Sequence, residues 1–143
     1  MELEGKVWKE GKVWLIEIQA LDVMTQGKTK EDAFFMIEDV VEELMHSYFK
    51  DEYLKGFKAE AIDCENGVVV VTANDTKLLL ALSLRRQREK SGSTIKEVAG
   101  RLGSKAPNSY AQYERGFTNV TVEKYEELLV AVNPRGGLRL RLT

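Results

Sequence analysis

The chain of 143 residues is 43% hydrophobic and 31% charged, a balance typical of a soluble globular protein with one or two small domains. Its longest apolar runs, at 68–71 and 78–82, fall far below the roughly 20 residues that a membrane-spanning helix needs, and residues 1–12 lack the apolar core of a signal peptide. The one cysteine, Cys64, cannot form an internal disulfide, which fits a reducing cytoplasm, and its valine-rich neighbourhood predicts a core thiol.

The net charge of −2 conceals an asymmetry between the two halves of the chain. Residues 1–75 hold 8 Lys and Arg against 17 Asp and Glu, a balance of −9, whereas residues 76–143 hold 13 against 6, a balance of +7. A basic module suits phosphate and an acidic one repels it. The split therefore favours two modules with different partners, and ordinary solvated surface is the alternative.

The first half is predicted to form a ββαββ unit. Alternating apolar residues in KVWKEGKVWLIEIQAL (6–21) indicate a hairpin with KEGK as its turn, and FKAEAID and GVVVVTA indicate a second hairpin around the turn CENG (64–67). Between the hairpins, Thr25 and Gly27 lie in a predicted loop, Thr29 in a capping position, and residues 29–49 in one amphipathic helix. The apolar positions of that helix are Ala33, Ile37, Val40, Val41, Leu44 and Tyr48.

The second half is predicted to be helical throughout. A helix runs from Asp75 to Ser91, and three more are indicated by Thr94 with Glu97 in a capping-box pattern, by Pro107 in a first turn, and by TVEKYEELLVAV, which ends before Pro134. The fold class is therefore α+β. We predict a ββαββ domain over 1–75, an all-α domain over 76–134, and a C-terminal strand or tail over 135–143.

Residues 80–133 carry the spacing of a helix-turn-helix. They resemble the lambda-repressor-like, Cro-type family, in which the motifs LxxxR, AxxxG and ERG recur. The matching stretches are Leu84 to Arg88, Ala99 to Gly103, and Glu114-Arg115-Gly116. The resemblance implies a DNA-binding module whose third helix enters the major groove of operator DNA, and a helical bundle that does not bind DNA is the alternative.

The resemblance implies that two sets of residues meet DNA. The base-reading set comprises Asn108, Ser109 and Gln112, because amide side chains can pair with adenine in the major groove. The phosphate-contacting set comprises Arg101, Lys105, Arg115, Thr118 and Asn119. Tyr110 and Tyr113 are expected to pack in the core.

The loop-to-helix stretch TQGKTKEDA (25–33) resembles a motif of HicB-family antitoxins. Thr25, Gln26, Gly27, Thr29, Asp32 and Ala33 stand in the matching places. That family has a degenerate ribonuclease-H-like domain, often followed by a DNA-binding module, so the resemblance implies an antitoxin that masks a small basic HicA-type ribonuclease toxin. The motif itself is predicted to be structural, with Gly27 relieving the backbone and Thr29 and Asp32 forming a capping box, and an anion site there is the alternative.

No enzymatic site is predicted. A ribonuclease-H site needs carboxylates that converge on divalent metal ions, and the candidates Glu17, Asp22, Asp39 and Glu43 give no sign of convergence. The chain has one histidine, His46, and no Cys/His metal spacing or phosphate-binding loop. We therefore predict no catalytic residue, metal or cofactor.

The predicted partners are operator DNA, a toxin and a second copy of the chain. The acids of the long helix are the candidate toxin-binding residues: Glu38, Asp39, Glu42 and Glu43. A repressor that responds to a small ligand and has no toxin partner is the alternative. Leu138, Leu140 and Leu142 alternate with arginines, which predicts a C-terminal strand that pairs with a sheet edge in the same or a second subunit, with a disordered tail as the alternative.

Overall fold

The computed structural model describes residues 1–136 and 138–140 and divides into two compact units, Met1–Leu79 and Leu80–Thr143. The first unit is a sheet with a helix and the second is helical, which confirms the α+β fold class. In the described part of the chain, no helix has the length and apolar character needed to cross a membrane.

The first unit contains five antiparallel strands and one long helix. Its elements are β1 (Leu3–Glu10), β2 (Val13–Ile18), β3 (Val23–Gly27), α1 (Lys30–Tyr48), β4 (Ala59–Asp63) and β5 (Val68–Ala73), with short 3-10 helices at Gln19–Leu21 and Asp51–Tyr53. The strand order is β3-β2-β1-β5-β4, so β3 and β4 form the two edges. Both predicted hairpins are present, with Glu10 opposite Val13 in the first and Asp63 opposite Val69 in the second.

Strand β3 was not predicted, and the ββαββ description is therefore wrong by one strand. Thr25 and Gly27 lie in this strand rather than in a loop, where they pair with Ile16 and Trp14 of β2. The stretch VMTQG contains few strong strand formers, and its extended conformation follows from antiparallel pairing with the apolar strand next to it.

Helix α1 begins where the sequence predicted. The Thr29 hydroxyl oxygen accepts a hydrogen bond from the Asp32 amide at 3.1 Å, which caps the helix. Gly27 does not have a positive φ, so backbone relief is not its role. A Cβ at Gly27 would instead meet the Ala33 amide nitrogen and lie 2.7 Å from the Asp32 carbonyl carbon, so this glycine allows α1 to approach β3 closely.

The inner face of α1 supplies the core of the unit. Its fully buried side chains are Ala33, Ile37, Val41 and Met45, and the sheet contributes Ile16, Ile18, Val69 and Val71. Of the predicted apolar positions, Val40, Leu44 and Tyr48 are only partly buried, and Met45 takes the place expected of Leu44.

Two acids of α1 bind the edge of the sheet. The Glu38 carboxylate accepts a hydrogen bond from the Ala61 amide at 2.9 Å, and the Glu42 carboxylate accepts one from the Ala59 amide at 3.3 Å. Ala59 and Ala61 belong to edge strand β4, whose outward amides have no neighbouring strand within the described sheet. Glu38 and Glu42 are both half-buried, and they close this edge because they accept hydrogen bonds from its outward amides.

Cys64 is exposed, so the prediction of a core thiol is wrong. The residue lies just after β4, in the turn where Glu65 and Asn66 have positive φ. The valines that suggested burial belong to β5, beyond the turn, and a turn projects its side chains away from the sheet.

Over its described residues, the second unit is a bundle of four helices. They are α2 (Thr76–Ser91), whose first turn belongs to the other unit, α3 (Ile95–Arg101), α4 (Asn108–Glu114) and α5 (Val122–Val132). Thr94 and Glu97 form the predicted capping box, and Thr121 caps α5. Pro107 is the N-cap of α4 rather than a residue of its first turn.

The C-terminal strand is not found in the described residues. Residues 138–140 do not form a strand, Leu138 packs against the helical core, and Leu140 is 37% exposed. Leu138 is partly buried by apolar residues of the helices, so it does not need a neighbouring strand to cover it. Gly137 and residues 141–143, including Leu142, lie outside the described residues.

We predict that Glu38→Ala destabilises the first unit by about 1 kcal/mol, because the half-buried Ala61 amide loses its acceptor. The unfolding midpoint in urea, followed by tryptophan fluorescence, measures this, since both tryptophans, Trp8 and Trp14, lie in this unit. Glu43→Ala is the matched control, because the Glu43 side chain is exposed and its replacement should change the free energy of unfolding by less than about 0.5 kcal/mol. Equal midpoints for the two variants would contradict the edge-closing role.

Candidate nucleic-acid interface

The turn between α3 and α4 has the geometry that the sequence predicted. Ala99 is 1% exposed in the bundle, and Gly103, four residues later, has a φ of 84°. The Ser104 amide donates to the Ala99 carbonyl at 2.9 Å, so the chain reverses directly after α3. Only glycine adopts this φ without strain, which explains the AxxxG spacing.

A buried ion pair joins α2 to α4. Arg88 Nε and Nη2 donate to the two Glu114 carboxylate oxygens at 2.6 and 3.1 Å, and Arg88 Nη1 donates to the Ser93 carbonyl at 3.1 Å. The side chains of Arg88 and Glu114 are only 13% and 9% exposed. Hydrogen bonding to Glu114 raises the pKa of the Arg88 guanidinium, so Arg88 remains a cation.

Tyr110 completes this network from inside the core. Its ring is fully buried, and its hydroxyl donates to Glu114 Oε1 at 2.6 Å. Burial, followed by the charge of Glu114, raises the pKa of the Tyr110 hydroxyl, so this group stays a donor at all physiological pH values. Tyr113, expected beside it, packs partly buried against the same cluster. Both tyrosines are therefore packing residues.

Arg101 lies inside a network of its own. Arg101 Nη1 donates to the Ala131 carbonyl at 2.7 Å and to Ser93 Oγ at 2.8 Å. Ser91 Oγ donates to the Val132 carbonyl at 2.6 Å. Carbonyls in the last turn of a helix have no partner within the helix, so Arg101 and Ser91 cap the end of α5. The structure gives Arg101 a bracing role that the sequence did not reveal.

The outward side of α4 presents three polar side chains in one stripe. Asn108, Gln112 and Arg115 are spaced by four and three residues and so share a helix face, opposite the buried Tyr110. Arg115 Nη2 donates to Asn108 Oδ1 at 2.7 Å, and Gln112 Nε2 donates to the Ser109 carbonyl at 3.1 Å. These contacts link Arg115 to Asn108 and Gln112 to the backbone of the same helix.

The other predicted contact residues lie around this stripe. Ser109 Oγ donates to the Ala106 carbonyl at 2.7 Å, and Thr118 Oγ1 donates to the Gln112 carbonyl at 3.3 Å. Lys105 precedes α4 and Asn119 follows it, and both are exposed. Apart from Arg101, the predicted contact residues therefore belong to α4 and the loops directly before and after it.

The acids proposed for toxin binding do not act as one group. Glu38 and Glu42 bind β4, whereas Asp39 and Glu43 are exposed on the outer side of α1. Of the carboxylates considered for a ribonuclease-H site, Asp22, Asp39 and Glu43 are exposed and Glu17 is partly buried. Over residues 1–136 and 138–140, no three His, Cys, Asp or Glu side chains are grouped so that they could hold a metal ion.

Comparison with known families agrees with the geometry of the second unit. Residues 84–133 match the family model described as helix-turn-helix, which confirms the predicted resemblance for this part of the chain. Neither curated proteins nor solved structures give a match. Residues 84–133 therefore carry a lambda-repressor-like helix-turn-helix, and this match supports a DNA-binding transcription regulator.

We predict that Arg88→Met lowers the free energy of unfolding by roughly 3 kcal/mol, because it leaves the Glu114 carboxylate buried without its cation. The double variant Arg88→Met with Glu114→Met should cost less than the two single variants together, with a coupling energy of about 1–3 kcal/mol. Circular dichroism during urea unfolding measures all three.

Arg85→Met is the matched control for this cycle. Its ion pair with Glu89 spans one helical turn and is about one-third exposed, so its loss should cost less than about 1 kcal/mol. Additive losses for Arg88 and Glu114 would show that the ion pair does not stabilise the domain.

Proposed function

We propose that the chain binds a palindromic operator as a dimer and reads it with α4. The observation that supports this is the polar stripe of Asn108, Gln112 and Arg115 on the face of α4 that is turned away from the core. In this proposal Asn108, Ser109 and Gln112 contact base edges, because amide groups offer both a donor and an acceptor to adenine. Operator half-sites related by a two-fold axis would require two copies of α4.

Phosphate contacts are assigned to the cations and polar groups around the stripe. Lys105 and Arg115 supply charge, and Thr118 and Asn119 supply hydrogen bonds. Arg101 is left out of this set because its Nη1 donors are used by Ala131 and Ser93. The balance of +7 in residues 76–143 favours binding to a polyanion.

We predict that Gln112→Ala weakens binding to the chain's own promoter DNA by about 1–3 kcal/mol and leaves binding to random duplexes nearly unchanged. Lys105→Ala should weaken binding to all duplexes alike and reduce the salt slope by about 1. Fluorescence anisotropy at several salt concentrations measures both effects. Lys55→Ala, an exposed cation of the first unit, is the control for charge alone. The assignment would be refuted if Gln112→Ala reduced binding to promoter and random DNA equally.

We propose further that the first unit is an antitoxin domain of the HicB type, which binds and masks a small basic ribonuclease toxin. Two observations support this proposal: the TQGKTKEDA stretch, which here runs from β3 into the capped start of α1, and the −9 balance of residues 1–75. A ribonuclease must be cationic to hold RNA, so an acidic surface can compete for the same face and accelerate the encounter.

The ligand-responsive repressor is less well supported. A cavity in the first unit, lined in part by Tyr53, Phe57, Asn74 and Asp75, has a volume of about 160 Å³. Sites for small ligands usually occupy roughly 300–1,000 Å³. Co-expression with the product of the adjacent reading frame, followed by pull-down and a ribonuclease assay, tests the antitoxin proposal. Failure to bind or to inhibit that product would contradict it.

We predict that Asp39→Lys with Glu43→Lys slows association with the toxin most at low salt, and that the difference shrinks as ions screen the charges. Glu38 and Glu42 are avoided because their replacement would disturb β4. Glu10→Lys with Glu60→Lys makes the same change in net charge at exposed strand positions and is the matched control. If both pairs slowed association equally, only net charge would matter, and α1 would not be the binding surface.

A further inference from the structure

The side of α1 that faces away from the sheet carries two exposed apolar side chains. Phe35 is 65% exposed and Met36 is 42% exposed, although the buried positions of this helix, such as Ala33 and Ile37, are completely covered. Each residue of an α-helix is rotated by about 100° from the one before it. Phe35 and Met36 therefore lie on either side of the line along α1 that faces directly away from the core. An exposed Phe beside an exposed Met on such a surface marks an interaction site more often than a single exposed apolar residue does.

Acids surround this apolar pair. Asp32, Asp39 and Glu43 are exposed and lie within one or two turns of it on the same side of the helix. Residues 31–49 contain no Lys or Arg. Lys30, at the start of the helix, is paired with Asp63 and lies over the Trp14 ring, so its charge is directed to the sheet. We call Asp32, Phe35, Met36, Asp39 and Glu43 the outer face of α1.

We propose that the outer face of α1 docks the toxin, with Phe35 and Met36 entering an apolar pocket bordered by Lys and Arg side chains of that partner. This inference rests on the antitoxin proposal and specifies the surface that carries it. The occupant is chosen by charge, because a cationic rim complements Asp32, Asp39 and Glu43, and residues 31–49 supply no Lys or Arg to neutralise them. Aromatic and methionine side chains commonly anchor helices laid into such grooves.

The two kinds of side chain should affect different rate constants. Anchors that leave a pocket on dissociation determine the lifetime of a complex, whereas rim charges determine how fast it forms. Phe35→Ser with Met36→Ser should therefore shorten the lifetime of the toxin complex by about 10-fold or more at any salt concentration. Asp39→Asn with Glu43→Gln should mainly slow association, and only at low salt.

The experiment measures these rates by surface-immobilised binding of the adjacent reading frame's product to the full chain. Met24→Ser is the matched control. Met24 is 62% exposed, but it lies on the other face of the sheet from Gly27 and α1. Urea unfolding of each variant, followed by tryptophan fluorescence, checks the fold, which should be retained since Phe35 and Met36 are exposed. Equal lifetimes for the wild-type chain and the Phe35/Met36 variant would overturn the assignment of the surface and leave the antitoxin proposal intact.

Two other outcomes have separate meanings. If the wild-type chain does not bind the product at all, the antitoxin proposal fails and this inference fails with it. If Phe35→Ser with Met36→Ser lowers the mass of the chain alone in light scattering, the outer face joins two copies of the chain, and toxin docking there is refuted. An unchanged mass together with a shortened complex lifetime supports the inference.

Discussion

The ion pair between Arg88 and Glu114 is the constraint on which the second unit depends. Helix α4 has seven residues, and isolated helices shorter than about 12 residues are marginal in water. The direction of α4 is therefore fixed by tertiary contacts: Tyr110 packs in the core, and Arg88 binds both carboxylate oxygens of Glu114. Because the guanidinium is planar and binds both oxygens, it restrains the rotation of α4 as well as its distance from α2. The contact between Arg88 and Glu114 therefore determines how the polar stripe on α4 is oriented.

Acidic side chains of α1 have two different uses although they look alike in sequence. Glu38 and Glu42 lie on the flank of the helix that faces β4, where they accept hydrogen bonds from backbone amides. Asp39 and Glu43, each one residue further along, are rotated by about 100° and face solvent. A one-residue step along the helix thus separates acids that complete the fold from acids that are available to a partner.

The sequence predicted the elements whose signals are local. Both hairpins, the cap at Thr29, the capping box at Thr94 and the helix-turn-helix spacing are determined by residues close together in the chain. What it missed depends on distant contacts. Strand β3 is extended because β2 lies beside it, and Arg101 is a brace because the end of α5, thirty residues later, lies within its reach.

The site was predicted less completely than the fold for the same reason. Asn108 and Gln112 could be placed on the outer side of α4 from the helix spacing alone. The bond between Arg115 and Asn108 depends on side-chain rotamers, and the Arg88–Glu114 contact joins residues 26 positions apart. The exposure of Phe35 and Met36 could not be predicted either, because helical periodicity does not indicate how much of an outer side chain is covered by the rest of the fold.

The carboxylates along β4 also have a consequence for the chain at high concentration. An open strand edge is a template on which another molecule can add a strand, and repeated addition leads to fibrils. By occupying the amides of Ala59 and Ala61, Glu38 and Glu42 place negative charge where an incoming strand would have to bind. The same side chains that complete the sheet therefore protect the β4 edge from aggregation.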